Sequence, residues 1–296
     1  MKCPWCIDHN GSIFIKYKLD IKNFDLSVKC TSTANIDEKP TLYKCNKCKL
    51  IFSEYVEKKF EELYSEVADD LYIDQIPFKE RYFQNTLKKI SHHLDKSRTI
   101  LEIGSYYGVF GSLIKPLVKR YEGLELSSHA ANYASKNYGL NIKNQTINEY
   151  LLDNTKLDIV IMSHVIEHLD DPFDVVKKIE NKMTDESLLI FSTYNMDSLI
   201  AKILGKHYHW IMPMHKFYFT KNTLNKLMQE NGLQIFDIKT DTHTISLKYF
   251  LIKIKGIFPI LKFFIDALIN KSWSNKINLK INLGDLDIYF VKKKFK

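Results

Sequence analysis

The chain is poor in arginine, in cysteine and in uninterrupted apolar sequence. Of its 43 basic residues only Arg81, Arg98 and Arg120 are arginines, and bidentate reading of bases or phosphates is mostly arginine chemistry. The net charge of +8 is also local: 11 lysines against Asp266, Asp285 and Asp287 beyond residue 247 account for all of it, so the preceding residues balance. Sequence-specific nucleic-acid binding is therefore disfavoured. No run approaches the roughly 18 uncharged apolar residues of a spanning helix, and the first ten residues lack the apolar core of a secretion signal. The expectation is a cytoplasmic protein whose basic, apolar tail suits peripheral contact with the inner membrane surface or an acidic partner. With 296 residues, 45% of them hydrophobic, the chain is long enough for a large core and one small extra module, which excludes disorder and fibrous repeats.

The few cysteines are ordered. Four of the five form two Cys-x-x-Cys pairs, Cys3/Cys6 and Cys45/Cys48, and Cys30 is left over as a buried thiol. In a chain read as intracellular, such pairs argue for a metal rather than disulfides. Two Cys-x-x-Cys turns complete the tetrahedral thiolate shell of a structural Zn²⁺, a closed site without catalysis. The alternating run from Ile13 to Leu19 has the period of a strand, so residues 1–53 read as a small β-rich zinc module. Residues 54–96 read as a helical lead-in with a break near Ile76-Pro77.

From residue 97 strands and helices alternate. Thr99–Ile103, Glu122–Leu126, Asn141–Lys143, Leu157–Met162 and Ser187–Ser192 read as strands, with helices near Phe110–Val118, from Ser128 and over Pro172–Lys182. This βαβ series predicts an α/β fold with a doubly wound, Rossmann-like parallel sheet, covered on both faces. A helix at Thr220–Asn231 and strands at Leu233–Thr240 and Asp285–Lys292 complete the domain, residues 97–296. Between those last strands, about 247–272, Phe250, Ile254, Ile257, Leu261, Phe264 and Leu268 share one helical face opposite Lys248, Lys255, Lys262 and Asp266. That amphipathic insertion either packs on the sheet, forms a dimer interface or touches a membrane; the oligomeric state is left open.

Three segments carry chemistry. Leu101-Glu102-Ile103-Gly104-Ser105-Tyr106-Tyr107-Gly108 falls where the first strand turns into the first helix, where glycines let a ligand approach the backbone and free N–H donors. A dinucleotide fingerprint needs glycines at 106 and 109, where Tyr and Val stand, so nicotinamide cofactors lose support. Glu102 instead suits a cationic, amino-acid-bearing ligand. Glu125, ending the second strand before Leu126, can accept both hydroxyls of a ribose. The third segment runs Met162-Ser163-His164-Val165-Ile166-Glu167-His168-Leu169-Asp170-Asp171-Pro172, from a fourth strand into a polar loop and helix.

Together these segments resemble the class I S-adenosylmethionine-dependent methyltransferases, especially the subgroup with a His-Val-x-Glu-His-Leu-x-Asp-Pro segment. The resemblance continues through Phe191–Asn195, His207–Trp210 and His215–Thr220, covers about residues 98–240, and makes Gly284–Ile288 like the family's final strand. The cysteine pairs resemble the knuckles of zinc ribbons, as found in members of this group from carbohydrate and secondary-metabolite pathways. The resemblance implies S-adenosylmethionine bound by Glu102, Gly104, Ser105, Tyr106, Gly108, Glu125 and Leu126, with Ser163 and His164 beside them and, by position beyond the third strand, Gln145 and Thr146 near the adenine. Tyr72 and Arg81 of the lead-in are further candidates to cap the cofactor. Tyr106 replaces the family's usual middle glycine, setting a side chain against the methionine part of the cofactor.

Methyl transfer to a hydroxyl requires removal of its proton, a task suited to histidine. His164 and His168 fall at the carboxyl end of the fourth strand, where this fold binds ligands, and His215 precedes an aromatic run. His168 and His215 are the leading candidates for a base, each with a local supporting role as the alternative. A metal on the His164/His168 pair is disfavoured, since the pattern lacks the His-Glu-x-x-His order. The reading is O-methylation of a small molecule or sugar or glycan precursor. The alternatives are N- or C-methylation of a nucleotide-sugar or other metabolite, a nucleic-acid methyltransferase, and a non-catalytic zinc-containing scaffold with a degenerate cofactor pocket.

Overall fold

The computed structural model describes residues 1–17, 39–55, 64–65, 67–151, 156–248, 250–251, 255, 262–269, 271 and 277–294. Cys30, the end of the Ile13–Leu19 run and much of the amphipathic segment fall outside the described residues.

In chain order the elements are β1 (Gly11–Ile15), β2 (Leu42–Cys45), β3 (Ile51–Ser53), α1 (Asp70–Asp74), α2 (Ile76–Ile90), β4 (Thr99–Ile103), α3 (Val109–Ile114), β5 (Arg120–Leu124), α4 (Ser128–Tyr138), β6 (Ile142–Lys143), α5 (Ile147–Tyr150), β7 (Leu157–Ser163), α6 (Pro172–Lys182), β8 (Met183–Tyr194), α7 (Leu199–Leu204), β9 (Phe217–Tyr218), α8 (Lys221–Glu230), β10 (Leu233–Thr240), β11 (His243–Ser246), α9 (Lys262–Ile269), β12 (Asn278–Ile281) and β13 (Leu286–Lys293). Their ends follow local chemistry. Asp171 caps α6 by accepting the N–H groups of Phe173 and Asp174, with Pro172 pre-set for the first turn. Pro77 likewise sits in the first turn of α2, so the expected break falls at Gln75, between α1 and α2. Ser127 caps α4, which Gly139 ends in the left-handed conformation at φ 59°.

The main sheet has seven strands in the order β10-β13-β8-β7-β4-β5-β6. β6, β5, β4, β7 and β8 run parallel, and β13 inserts antiparallel between β8 and β10. The chain steps outward from β4 through β5 to β6, then returns to place β7 on the other side of β4. The carboxyl ends of β4 and β7 thus flank the switch point, where a crevice forms. Buried residues along β4, β7, β8 and β13 mark strands covered on both faces. The doubly wound, Rossmann-like α/β core expected from the alternation is the observed one. The amphipathic segment leaves and returns through β11 and β12, paired from His243↔Ile281 to Ser246↔Asn278. In its described part Ile265 is buried, Phe263 is 82% exposed, and Lys255 pairs with Asp266. Among the described residues no helix is long and apolar enough to cross a membrane.

The N-terminal segment departs from a free-standing zinc ribbon. Its β1, β2 and β3 form an antiparallel sheet whose fourth strand, β9, comes from residue 217 onward. Cys3, Cys45, Cys48, Leu50 and Phe52 share one apolar cluster with Val175, Val176, Phe217, Leu224 and Tyr289. Trp5 stacks on Phe173 of α6 at 5.1 Å and donates its indole N–H to Glu230 at 3.0 Å. The boundary near residue 53 is thus crossed by a shared core, because the short N-terminal strands have too little apolar surface to bury alone. Phe217→Ala, at a position 1% exposed, should cost about 3–5 kcal/mol. Denaturation followed at Trp5 and by far-UV circular dichroism should shift together; a shift at Trp5 alone would mean the two parts unfold independently.

Candidate active site and cysteine cluster

The two Cys-x-x-Cys turns face each other. The sulfurs of Cys3, Cys6, Cys45 and Cys48 all lie within 4.8 Å of one another, and Cys3 Sγ and Cys48 Sγ are 3.6 Å apart. Bonds of roughly 2.3 Å from a tetrahedral zinc to its sulfurs would set the latter close to that separation. Both turns close on a residue with positive φ just after the second cysteine, Ile7 at 44° and Lys49 at 64°, and the Cys6 N–H points at Cys3 Sγ at 3.4 Å. The hydrogen bond with Cys48 lowers the Cys3 thiol and raises that of Cys48. These residues form a cluster fit to bind a metal ion.

At the switch point Gly104 and Gly108 have φ of 74° and 78°. A Cβ on Gly104 would come within 2.5 Å of Val165 at the end of β7, and one on Gly108 within 2.6 Å of Ala134 of α4. Both positions need glycine for conformation and for close approach. Glu102 is 2% exposed and accepts the Tyr121 hydroxyl. Ser105, also buried, accepts the Tyr121 hydroxyl at 3.2 Å and donates to the Glu102 carbonyl at 3.3 Å. Glu125, equally buried, accepts the Tyr106 N–H at 2.7 Å on one oxygen and the Ser127 N–H at 2.8 Å on the other. Each oxygen keeps a lone pair for a further donor. Neither glutamate has a cationic partner among the described residues. Burial raises Glu102 to about 8, with the Glu125 charge adding to it and the Tyr121 bond opposing it; burial raises Glu125 to about 7 against its N–H bonds.

Tyr106 adopts φ 48°. Its ring packs edge-on against Tyr72 at 4.6 Å and stacks on Tyr64 at 6.3 Å, and its hydroxyl donates to Asp69 Oδ2 at 2.8 Å. The residue in place of the usual glycine is thus tied to the lead-in segment. Leu126 gives its carbonyl to Asn144 at 2.7 Å. Thr146 is occupied as the cap of α5, accepting the Glu149 N–H at 3.1 Å, and Gln145 beside it is half-buried. Ser163 lies 3.3 Å from the Ser192 hydroxyl across β7 and β8. Arg81 is exposed, while Tyr72 is buried against Tyr107.

The three histidines converge. His164, at φ 56°, hydrogen-bonds through Nε2 with the Tyr82 hydroxyl at 2.9 Å and lies 5.0 Å from the Tyr194 ring. His168 and His215 meet edge to face at 4.6 Å. His168 donates from Nδ1 to the Met214 carbonyl at 3.1 Å and His215 to that of Trp210 at 2.9 Å; with neither His charged, Nε2 holds the lone pair. Burial lowers both, His215 to about 3. Between them Glu167 is 2% exposed; burial opposes its charge, and the His164 imidazole, 3.8 Å away, is the neighbour that favours it. Tyr194 stacks on Trp210 at 4.0 Å beside this cluster, and His243 is paired with Asp285 at 2.7 Å below Trp210. Glu167, Tyr82, Tyr194, His243 and Asp285 were not singled out from sequence. Glu167 had a signal, its place between two histidines in His-Val-Ile-Glu-His; Tyr194 and Asp285 fall inside segments that resemble the family but carry no role there, and only the fold brings them here with Tyr82 and His243.

A seven-stranded sheet with an antiparallel β13, a glycine turn after its first strand and an acidic residue after its second define a class I S-adenosylmethionine-dependent methyltransferase. The methyltransferase-domain family model matches residues 76–238, more than half of the chain, and the chain belongs to that family. It is 24% identical over 171 residues, 52% of this chain and 72% of the relative, to the ubiquinone biosynthesis O-methyltransferase of Glaesserella parasuis serovar 5 (strain SH0165). Among solved structures it is similar in fold to a SAM-dependent methyltransferase from Archaeoglobus fulgidus, with TM-score 0.51 and 21% identity over 76% of this chain and all of that one. A Thermotoga maritima SAM-dependent methyltransferase has the same TM-score at 16% identity, covering 81% of this chain and all of that one.

The two buried carboxyls make a pH prediction. Both are raised above the 4.5 of an unperturbed glutamate, so the folded chain holds their protons more tightly than the unfolded one. Their stabilisation is full below about 4.5 and is lost as pH rises through about 7 and then 8. Denaturant midpoints of the ligand-free protein should fall between pH 5 and pH 9, and Glu102→Gln should flatten the slope; an unchanged slope would show that Glu102 ionises freely.

Proposed function

We propose that this methyltransferase acts on an oxygen of a small molecule or a sugar or glycan precursor, and that the four cysteines hold a structural Zn²⁺. The observation that carries the oxygen acceptor is the cluster of buried Glu167 and His215 with half-buried His168 beside an aromatic wall of Tyr194 and Trp210. An activated acceptor such as an amine needs little help, whereas a hydroxyl needs its proton managed. The relative that is itself named an O-methyltransferase is in keeping with this.

S-adenosylmethionine, when bound, supplies a methyl group already activated on a sulfonium. The chain's own residues then have three tasks. Glu102 and Glu125, without cationic partners among the described residues, would answer the cationic amino-acid end and accept from the ribose hydroxyls, as on related folds. Gly104 lets the cofactor reach the backbone beside Val165, and the adjoining Ser105, Tyr106, Gly108, Leu126, Gln145, Thr146, Ser163 and His164 line the remainder. His168 and His215, their Nδ1–H groups held by backbone carbonyls, turn unprotonated Nε2 nitrogens to the acceptor oxygen. Charge balance through residue 247 supports a small acceptor over a nucleic acid.

His168→Ala or His215→Ala should lower turnover by about 10²-fold or more while S-adenosylmethionine binding survives. Formation of S-adenosylhomocysteine with a panel of hydroxylated acceptors, and cofactor binding by calorimetry, measure the two effects separately. Unchanged turnover in both variants would remove the cluster from the reaction, and product methylated on nitrogen or carbon would overturn the oxygen acceptor.

A further inference from the structure

Glu167 presents a problem of charge. Its carboxylate is 2% exposed, and neither oxygen receives a hydrogen bond from a described residue. The nearest candidate counter-charge, His164 Nδ1, lies 3.8 Å from Oε1, beyond hydrogen-bond reach. A buried carboxylate left so costs several kcal/mol, and native interiors satisfy such groups or fill the space beside them with a ligand. His168 and His215 complete a set of three whose ligand atoms lie within 4.8 Å of one another. Each imidazole gives its Nδ1–H to a backbone carbonyl, the outer contact by which a metal-ligating histidine is oriented with Nε2 free. Next to the set is a cavity of about 10 Å³, lined by Glu167, His215, Tyr194 and Trp210 among others, room for about one water-sized occupant. From its far wall the Trp210 indole N–H finds no acceptor among the described residues.

We propose that Glu167, His168 and His215 bind a divalent transition-metal ion, at a second metal site separate from the four cysteines. Two neutral imidazoles and one carboxylate suit Zn²⁺, Fe²⁺, Mn²⁺ or Co²⁺, whereas four thiolates select softer ions and Zn²⁺. The ion's positive charge answers the buried carboxylate, and three protein ligands leave coordination positions open toward the cavity, where an oxygen ligand can also accept from Trp210. The binding of the ion does not depend on the reaction assigned above. Its role, polarising the acceptor oxygen in place of direct proton abstraction by the Nε2 atoms it occupies, rests on the reading of the chain as an O-methyltransferase.

The test uses the full chain, loaded with Co²⁺ after removal of its metals, with elemental analysis after desalting. Two ions per chain are expected. Glu167→Gln and His215→Ala should reduce the count to one and keep the intense sulfur-to-cobalt absorption of the cysteine cluster. Cys45→Ser should lose that absorption and keep the weaker visible bands of a nitrogen and oxygen site. Calorimetry with S-adenosylmethionine confirms that each variant is folded. Should Cys45→Ser fail to fold, the wild-type and Glu167→Gln spectra decide the matter by their difference. One cobalt per chain in the wild type, with thiolate bands alone and no change in Glu167→Gln, would overturn the site. Two ions with no methyl transfer to any oxygen acceptor would leave the site standing and remove its role.

Discussion

The arrangement depends on a strand of two residues. Phe217 and Tyr218 pair with Phe52 and Ile51 of the N-terminal sheet, and just before them the Lys216 and Phe217 N–H groups donate to the Glu167 carbonyl at 3.0 and 3.2 Å. The segment after His215 is therefore held from both sides, by the cysteine-bearing sheet and by the loop after β7. Held in this way, His215 reaches His168, 47 positions earlier in the chain. The cysteine cluster lies in the core of the sheet to which β9 pairs, so the segment that carries His215 is anchored to the N-terminal strands.

The second organising constraint is the burial of carboxylates at the carboxyl ends of β4, β5 and β7. Each is handled differently. Glu125 is absorbed by backbone N–H groups of the two turns it joins, Glu102 by a tyrosine hydroxyl, and Glu167 is left facing imidazoles. Glu122, one strand turn earlier, shows the structural alternative: it pairs with Arg120 and Lys143 and accepts from Tyr150. The contrast separates a carboxylate that holds the fold from carboxyls that meet no cation among the described residues at the crevice, where a cationic ligand would gain most from them.

Much of this was legible in the chain because strong local signals coincide with the architecture. Thr99–Ile103, Pro172–Lys182 and Leu233–Thr240 appear with the ends read from sequence, since proline, capping aspartate and continuous apolar runs leave little choice. The two Cys-x-x-Cys pairs and the glycine turn were equally plain. What could not be read were pairings made by short or distant pieces. The β9 strand has two residues, too few for a periodic signal, so residues 1–53 looked self-contained. The β11/β12 ladder joins segments more than 30 residues apart around the amphipathic stretch. Tyr82, Tyr194 and Asp285 carry no local mark of function, and Tyr106, which looked like an obstruction, is tied into a cluster with Tyr64, Tyr72 and Asp69 whose members are separated in sequence.

The crevice between β4 and β7 is where this fold would hold its cofactor, and Tyr106 is the side chain that decides whether it loads. Native mass spectrometry of the purified chain, with and without S-adenosylmethionine, tests it most directly because it reads metal and cofactor on the same molecule. A folded, metal-loaded chain that gains one cofactor is expected. A metal-loaded chain that stays free of cofactor at millimolar S-adenosylmethionine would contradict it.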